Sequence, residues 1–236
     1  MYKYASTRSG DVAKEFLKGF NGYLMADGYT GYNKVQDIKR CCCFAHIRRY
    51  FFDAIPKGKN RDISCPAVQG VEYCDKLFAY ERHFKEKGYS YKQIKNGRLK
   101  KEKPVIEAFL SWLEKQKPIK GSKFATAVTY ALNRKEHMMT YLEDGRCSLS
   151  NNLSEQKMKS YVIGRKGWLF SDSPEGAEAS AISYSIAETA LENGLNVYKY
   201  ITYVLEKRPT EEMADSELEK LLPWNDKVFE MCKIER

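Results

Sequence analysis

The chain has 236 residues, 43% hydrophobic and 13% aromatic, which is enough for one good core or one core plus a smaller helical module, and too apolar for a disordered tail. No run approaches the roughly 18 consecutive apolar residues of a membrane span and no secretory signal follows Met1, so a cytoplasmic protein is expected. The net charge of +9 is uneven, with a local balance of −3 over residues 206–236 and +12 over residues 1–205, which suits nucleic acid better than an acidic small molecule.

In chain order, residues 2–7 alternate aromatic and polar groups and read as a short strand. Ser9-Gly10-Asp11 supplies cap and turn chemistry for a helix carrying Val12, Phe16, Leu17 and Phe20, which Asn21-Gly22 ends. Residues 23–26 read as a buried strand closing at Asp27-Gly28. Residues 38–44 read as another strand, and residues 45–55 as a helix stopped by Pro56. Seven cysteines, three of them consecutive at Cys41, Cys42 and Cys43, make no disulfide framework, because neighbours seldom meet disulfide geometry. This βαβ rhythm argues for an α/β sheet.

The pattern turns helical from about residue 66 to 142, with breaks expected at Gly88, Pro104 and Pro118–Gly121, and with many Lys and Arg between residues 76 and 103. Residues 147–150 read as a short strand, and a polar helix starts near Leu153. Residues 162–170 read as a strand or loop presenting basic groups. Ala179, Ile182, Ile186 and Ala190 share a helix face, as do Val197, Ile201, Val204 and Leu205 in a helix ended by Pro209. A last helix is expected around residues 213–222. The division implied is residues 1–58, 59–145, 146–192 and 193–236.

Several residues can carry chemistry, and each has a plainer reading. Asp27 ends a buried strand, where a carboxylate can hold a metal, but Asp-Gly is also ordinary turn chemistry. Glu155 stands three residues after Asn152, the spacing of a capping box, yet a glutamate in a first helical turn can equally face a metal. Cys43 and His46 have metal-ligand spacing, although no second Cys/His pair completes a zinc site. His46, Arg48 and Arg49 can meet phosphate or lie on a solvated helix start. Arg165, Lys166 and Trp168, set between Gly164 and Gly167, suit a DNA backbone or an unstacked base, or else a basic hairpin with a tucked ring.

The segments Ser-Asn-Asn-Leu-Ser-Glu (150–155), Val-Ile-Gly-Arg-Lys-Gly-Trp-Leu-Phe (162–170), Gly-Ala-Glu-Ala-Ser-Ala (176–181) and Glu-Thr-Ala-Leu-Glu-Asn-Gly-Leu-Asn-Val-Tyr-Lys-Tyr (188–200) closely resemble the IS66 insertion-sequence transposases. So do Ala-Asp-Gly-Tyr-Thr-Gly-Tyr (26–32), Cys-Phe-Ala-His-Ile-Arg-Arg-Tyr-Phe (43–51) and Leu-Pro-Trp-Asn (222–225), in the same order and over nearly the whole chain. The resemblance implies an α/β, ribonuclease-H-like catalytic fold with a helical insertion and a helical C-terminal extension. It also implies two Mg²⁺ ions held by an Asp-Asp-Glu triad in the intact family, with binding weak or absent in a fragment that lacks one of the three. Asp27 matches the second aspartate and Glu155 the glutamate, which makes both metal ligands, while Cys43 and His46 match a Cys-x-x-His element near the active site. Ser150 departs from the family, where aspartate is common.

A second departure is an absence. The only acidic residues before Asp27 are Asp11 and Glu15, both on the first helix, so no strand aspartate precedes it. The fold is expected to be incomplete, beginning at its third strand, with residues 2–7 pairing directly with residues 23–26 or another chain filling that edge. The expected function is a transposase fragment of DNA transposition, inactive alone, whose partners are transposon-end and target DNA and full-length transposase or a second copy. The competing reading is a non-catalytic DNA-binding or subunit-interacting module that modulates full-length transposase.

Overall fold

A computed structural model describes every residue except Arg61 and Arg236, and leaves the side chains of Arg165 and Trp168 undescribed. The chain divides into two compact units, residues 9–155 and residues 1–8 with 156–236. Among the described residues it is 62% helical with one small sheet, so the expected α/β rhythm yields two strands in a mostly helical protein.

In the first unit the Ser9 side chain accepts the Asp11 N–H and caps α1 (Gly10–Phe16). Strand β1 (Gly22–Ala26) then pairs in parallel with β2 (Ile38–Cys42), Gly22 opposite Ile38 and Ala26 opposite Cys42. The ladder continues one step further, where Cys43 N–H donates to Ala26 O at 3.2 Å. Beyond it the chain turns into α2 (Phe44–Asp53), with Cys43 at the N-cap position. Residues 147–150 form no strand; Leu149 instead accepts the Phe44 N–H at 3.1 Å, which ties the start of α2 to the approach to Asn151.

The helical segment that follows shares its core with this sheet. Phe44, Ile47 and Phe51 of α2 are buried with Val71, Cys74 and Leu77 of α3 (Pro66–Glu86). Ile106, Phe109 and Leu113 of α5 (Lys103–Glu114) and Ala127, Val128 and Ala131 of α6 (Lys123–Leu132) complete the same cluster. Close approach of α2 and α3 depends on Gly70, where a Cβ would stand 2.4 Å from the Phe51 ring.

Pro104 does not break its helix. The run from α4 (Tyr91–Gly97) into α5 passes through a π-turn at Arg98–Glu102, where Lys103 N–H reaches back to Arg98 O. Pro104 has no N–H and follows that i→i−5 bond, so it sits where the ladder is already changing step.

In the second unit residues 2–7 form no strand and do not pair with β1, which among the described residues pairs with β2 alone. Tyr2 N–H donates to Ser185 Oγ at 2.7 Å, and the Tyr2 ring lies 6.0 Å from Tyr161 and 6.5 Å from Tyr184. Aromatic side chains that alternate along a strand pattern are satisfied equally well by rings on helices, and here helices supply them.

Helix α7 (Asn152–Trp168) runs through the segment expected as strand or loop, since neither Gly164 nor Gly167 is a strong enough breaker to stop it. Helix α8 (Pro174–Glu192) starts with Ser173 accepting the Gly176 N–H, and α9 (Val197–Lys207) with Asn196 accepting the Lys199 N–H. Helix α10 (Asp215–Leu218) is a single turn, and α11 (Asp226–Cys232), not anticipated, buries Val228 and Cys232 with Ala190, Leu195 and Tyr200. Seven residues hold too little periodicity to announce a helix. Among the described residues no helix is long and apolar enough to cross a membrane.

Candidate active site

Three chain segments of the first unit converge at the C-terminal end of the sheet: the turn after β1, the first turn of α2 and the first turn of α7. Asp27 follows the last residue of β1, and its Oδ1 accepts the Tyr29 N–H at 2.9 Å, an Asx turn that orients the carboxylate. The turn chemistry expected of Asp-Gly is therefore present, and it leaves the second carboxylate oxygen available.

Glu155 N–H donates to Asn151 O at 3.0 Å, so Asn151 rather than Asn152 holds the N-cap position of α7. The register of a capping box between Asn152 and Glu155 is thereby lost. The Glu155 carboxylate reaches His46 instead, with Oε1 at 3.4 Å from Nε2. His46 is the third residue of α2, one turn from Cys43, which explains why a Cys-x-x-His spacing brings both side chains to one helix end.

The electrostatics follow from that packing. Burial pushes the Cys43 thiol up, but the His46 side chain and the Asn151 and His46 backbone N–H groups outweigh it and hold the thiol below its ordinary value. Cys43 in turn raises His46; burial opposes this and the Glu155 charge adds to it. The contact between them falls short of an ordinary hydrogen bond, for His46 Nδ1 is buried without a partner. Asn151 Oδ1 and Arg134 Nε are likewise buried and unpaired.

Two guanidinium groups not singled out in the sequence hold the Asp27 turn from behind. Arg40, on β2, donates through Nη2 to Asp27 O and Tyr29 O, both at 3.1 Å. Arg134, just past α6, donates through Nη2 to Gly28 O at 3.1 Å and through Nη1 to Tyr130 O at 2.6 Å, and its guanidinium lies 3.5 Å from the Tyr130 ring centre. Tyr130 stacks on Tyr50 at 4.0 Å, and burial, ahead of the charges around it, pushes its phenol up to about 12. The one sequence signal for Arg134 is Gly28, where a Cβ would stand 1.6 Å from Arg134 Nη2.

The expected phosphate-binding residues separate. Arg48 is committed to Asp75, with Nε–Oδ1 at 2.5 Å and Nη2–Oδ2 at 3.2 Å, whereas Arg49 is exposed. Lys166 is exposed on α7, and the side chains of Arg165 and Trp168 lie outside the described residues.

Asp27 and Glu155 carry the hard oxygen donors that Mg²⁺ takes, and Cys43 and His46 do not. Among the described residues no group of three or more His, Cys, Asp or Glu side chains stands together to hold a metal ion.

The first unit thus has a small parallel sheet with one carboxylate at its C-terminal end, and a helical segment between that carboxylate and a second one. The comparisons give the family. The model described as Transposase IS66 family matches residues 1–179, and that of the IS66 C-terminal element matches residues 185–224. The chain belongs to the IS66 transposase family.

It is similar to three uncharacterized proteins of Sinorhizobium fredii. Identity to y4hP is 30% over 95% of this chain and 43% of that protein; identity to y4jD is 29% over 96% and 45%. Protein y4qI is 29% identical over 96% of this chain and 43% of its own length. The chain thus spans less than half the length of the curated relatives it matches. No solved structure matches it.

Proposed function

We propose that this chain is part of a DDE transposase catalytic region with a ribonuclease-H-like framework, in which Asp27 and Glu155 are two of the carboxylates that bind Mg²⁺. The observations that support the reading are that Asp27 follows the last residue of β1 in a parallel strand pair, and that His46, in the helix that follows β2, stands 3.4 Å from Glu155. Strand-end carboxylates are where α/β sheets hold ligands, and two-metal phosphodiester chemistry needs several such anions around the attacked phosphate. The family membership supports DNA as the substrate, at transposon ends and at target sites, with self-association or a full-length transposase as protein partners.

The same reading holds that the 236 residues alone do not cleave DNA, because two carboxylates are too few to set two Mg²⁺ side by side. Purified chain incubated with duplex transposon ends in Mg²⁺ or Mn²⁺ should neither nick nor join them. In the same protein, Mn²⁺ should broaden the amide resonances flanking Asp27 and Glu155, and Asp27→Asn should remove the effect. Strand cleavage that disappears in Asp27→Ala would show that another carboxylate completes the site. Broadening at neither position would sink the metal reading itself.

The excess of +12 over residues 1–205, with Arg49 and Lys166 exposed, favours a second reading, a non-catalytic module that binds DNA beside full-length transposase. Binding without any Mn²⁺ response at Asp27 distinguishes it.

A further inference from the structure

The peptide groups around Asp27 are held in an unusual way. Three successive carbonyl oxygens, of Asp27, Gly28 and Tyr29, all accept from guanidinium groups, Arg40 taking the outer two and Arg134 the middle one. The Asp27 carboxylate is meanwhile oriented by the Tyr29 N–H, which donates to its Oδ1. Arg40 arrives from the neighbouring strand, as a parallel partner of β1 can. Arg134 arrives from the helical segment more than a hundred residues away, and three features fix it there. Its Nη1 is tied to Tyr130 O, its plane lies on the Tyr130 ring, and that ring is stacked on Tyr50 of α2.

Holding two cations this close has a cost. Burial lowers Arg40 and the Arg134 charge lowers it further, and only Asp27 and lesser neighbours act the other way. Arg134 Nε is moreover buried with no hydrogen-bond partner. A packing role for residue 134 would be served by an apolar side chain, which would avoid both penalties. Gly28 adds an independent observation. Its backbone does not need glycine for a positive φ, yet a Cβ would stand 1.6 Å from Arg134 Nη2 and 2.4 Å from Cζ. The missing side chain is the space the guanidinium occupies.

We infer that Arg134 is a positioning residue for Asp27: the helical insertion supplies the guanidinium that, with Arg40, sets the turn and offsets the negative charge that gathers when a carboxylate site assembles. The geometric part stands on the contacts above; its use in catalysis rests on the proposed role of Asp27.

Amide hydrogen exchange of the whole chain tests it without metal or activity. The reporter is Tyr29 N–H, which donates to Asp27 Oδ1, and the controls are Leu24 and Cys41, whose N–H groups face the partner strand in the parallel ladder that Cys43 N–H to Ala26 O continues. Arg134→Met should speed Tyr29 exchange about tenfold, the scale of one lost charge-assisted hydrogen bond, with the controls unchanged. Gly28→Ala, which displaces the guanidinium without altering it, should do the same. The double variant should be no worse than either single one, as expected for two changes that remove one contact. Arg134→Lys keeps the charge without the fork and covers the case in which the Met variant does not fold; it should fall between. Unchanged Tyr29 exchange in the folded variants overturns the inference, and so does equal acceleration of Tyr29, Leu24 and Cys41, which would mean Arg134 only stabilises the fold. Loss of the Mn²⁺ response at Asp27 in wild type leaves this result standing and removes only the catalytic reading.

Discussion

Arg98 and Glu81 form a fork-to-fork ion pair inside the first unit, with Nε–Oε1 at 2.7 Å and Nη2–Oε2 at 2.8 Å, while the Arg98 side chain is only 2% exposed. The remaining guanidinium protons go to backbone carbonyls of the segment leading toward Glu155. Nη1 donates to Tyr141 O at 3.1 Å and to Asp144 O at 2.9 Å, and Nη2 to Cys147 O at 2.7 Å. One buried charge on the π-turn therefore fastens the approach to α7 against α3. The π-turn brackets this arrangement, since its first and last residues, Arg98 and Glu102, are both fully buried.

Removing that charge leaves the partly buried Glu81 carboxylate and three carbonyls without their donors. Arg98→Met should therefore destabilise the first unit by about 3–5 kcal/mol, the range for breaking a buried pair from one side. Denaturant unfolding followed by the fluorescence of Trp112 in α5 measures it. A loss below about 1 kcal/mol would mean that water reaches the pair and that the network is worth no more than a surface bridge.

Glu102 carries the pH dependence of the same network. Burial, and then the Glu81 charge, push its carboxyl up to about 8, while the Tyr141 hydroxyl, donating at 2.6 Å, and Arg98 act the other way. A carboxyl raised above its ordinary 4.5 binds its proton more tightly in the folded chain than in the unfolded one. Its contribution to stability is thus complete below about pH 4.5 and is lost as pH rises through about 8. Melting temperature should fall more steeply across that window in wild type than in Glu102→Gln, which is neutral throughout. Parallel slopes in the two proteins would show that Glu102 is ionised at neutral pH.

Arg48 and Arg49 are adjacent in sequence and should behave oppositely. Arg49 is exposed, so Arg49→Ala should lower the log–log salt slope of duplex DNA binding by roughly 0.9, one phosphate contact. Arg48 is held by Asp75, and Arg48→Ala should leave the slope unchanged. Titrations from about 50 to 200 mM salt separate the two. An equal change in both slopes would mean that DNA displaces Asp75 from Arg48.

How much of this was legible beforehand depends on whether the signal was local. The cap at Ser9, the strand ending at Ala26, a second strand starting at Ile38, and the helices carrying Ala190 and Val197 all lie in runs whose chemistry and periodicity act within a few residues. The family, too, was legible, because its motifs are ordered along the chain. Residues 2–7 misled because two tyrosines in alternation fit a strand or an aromatic niche between helices equally well, and only packing against Tyr161 and Tyr184 chose. The Asn152–Glu155 spacing misled because a one-residue shift of the N-cap to Asn151 turns the glutamate toward His46. Arg134 had no signal of its own in the chain. Its partner Gly28 stands far away in sequence, and a guanidinium's choice among distant carbonyls is settled by which helices pack together, a long-range outcome that the order of residues encodes but local pattern does not display.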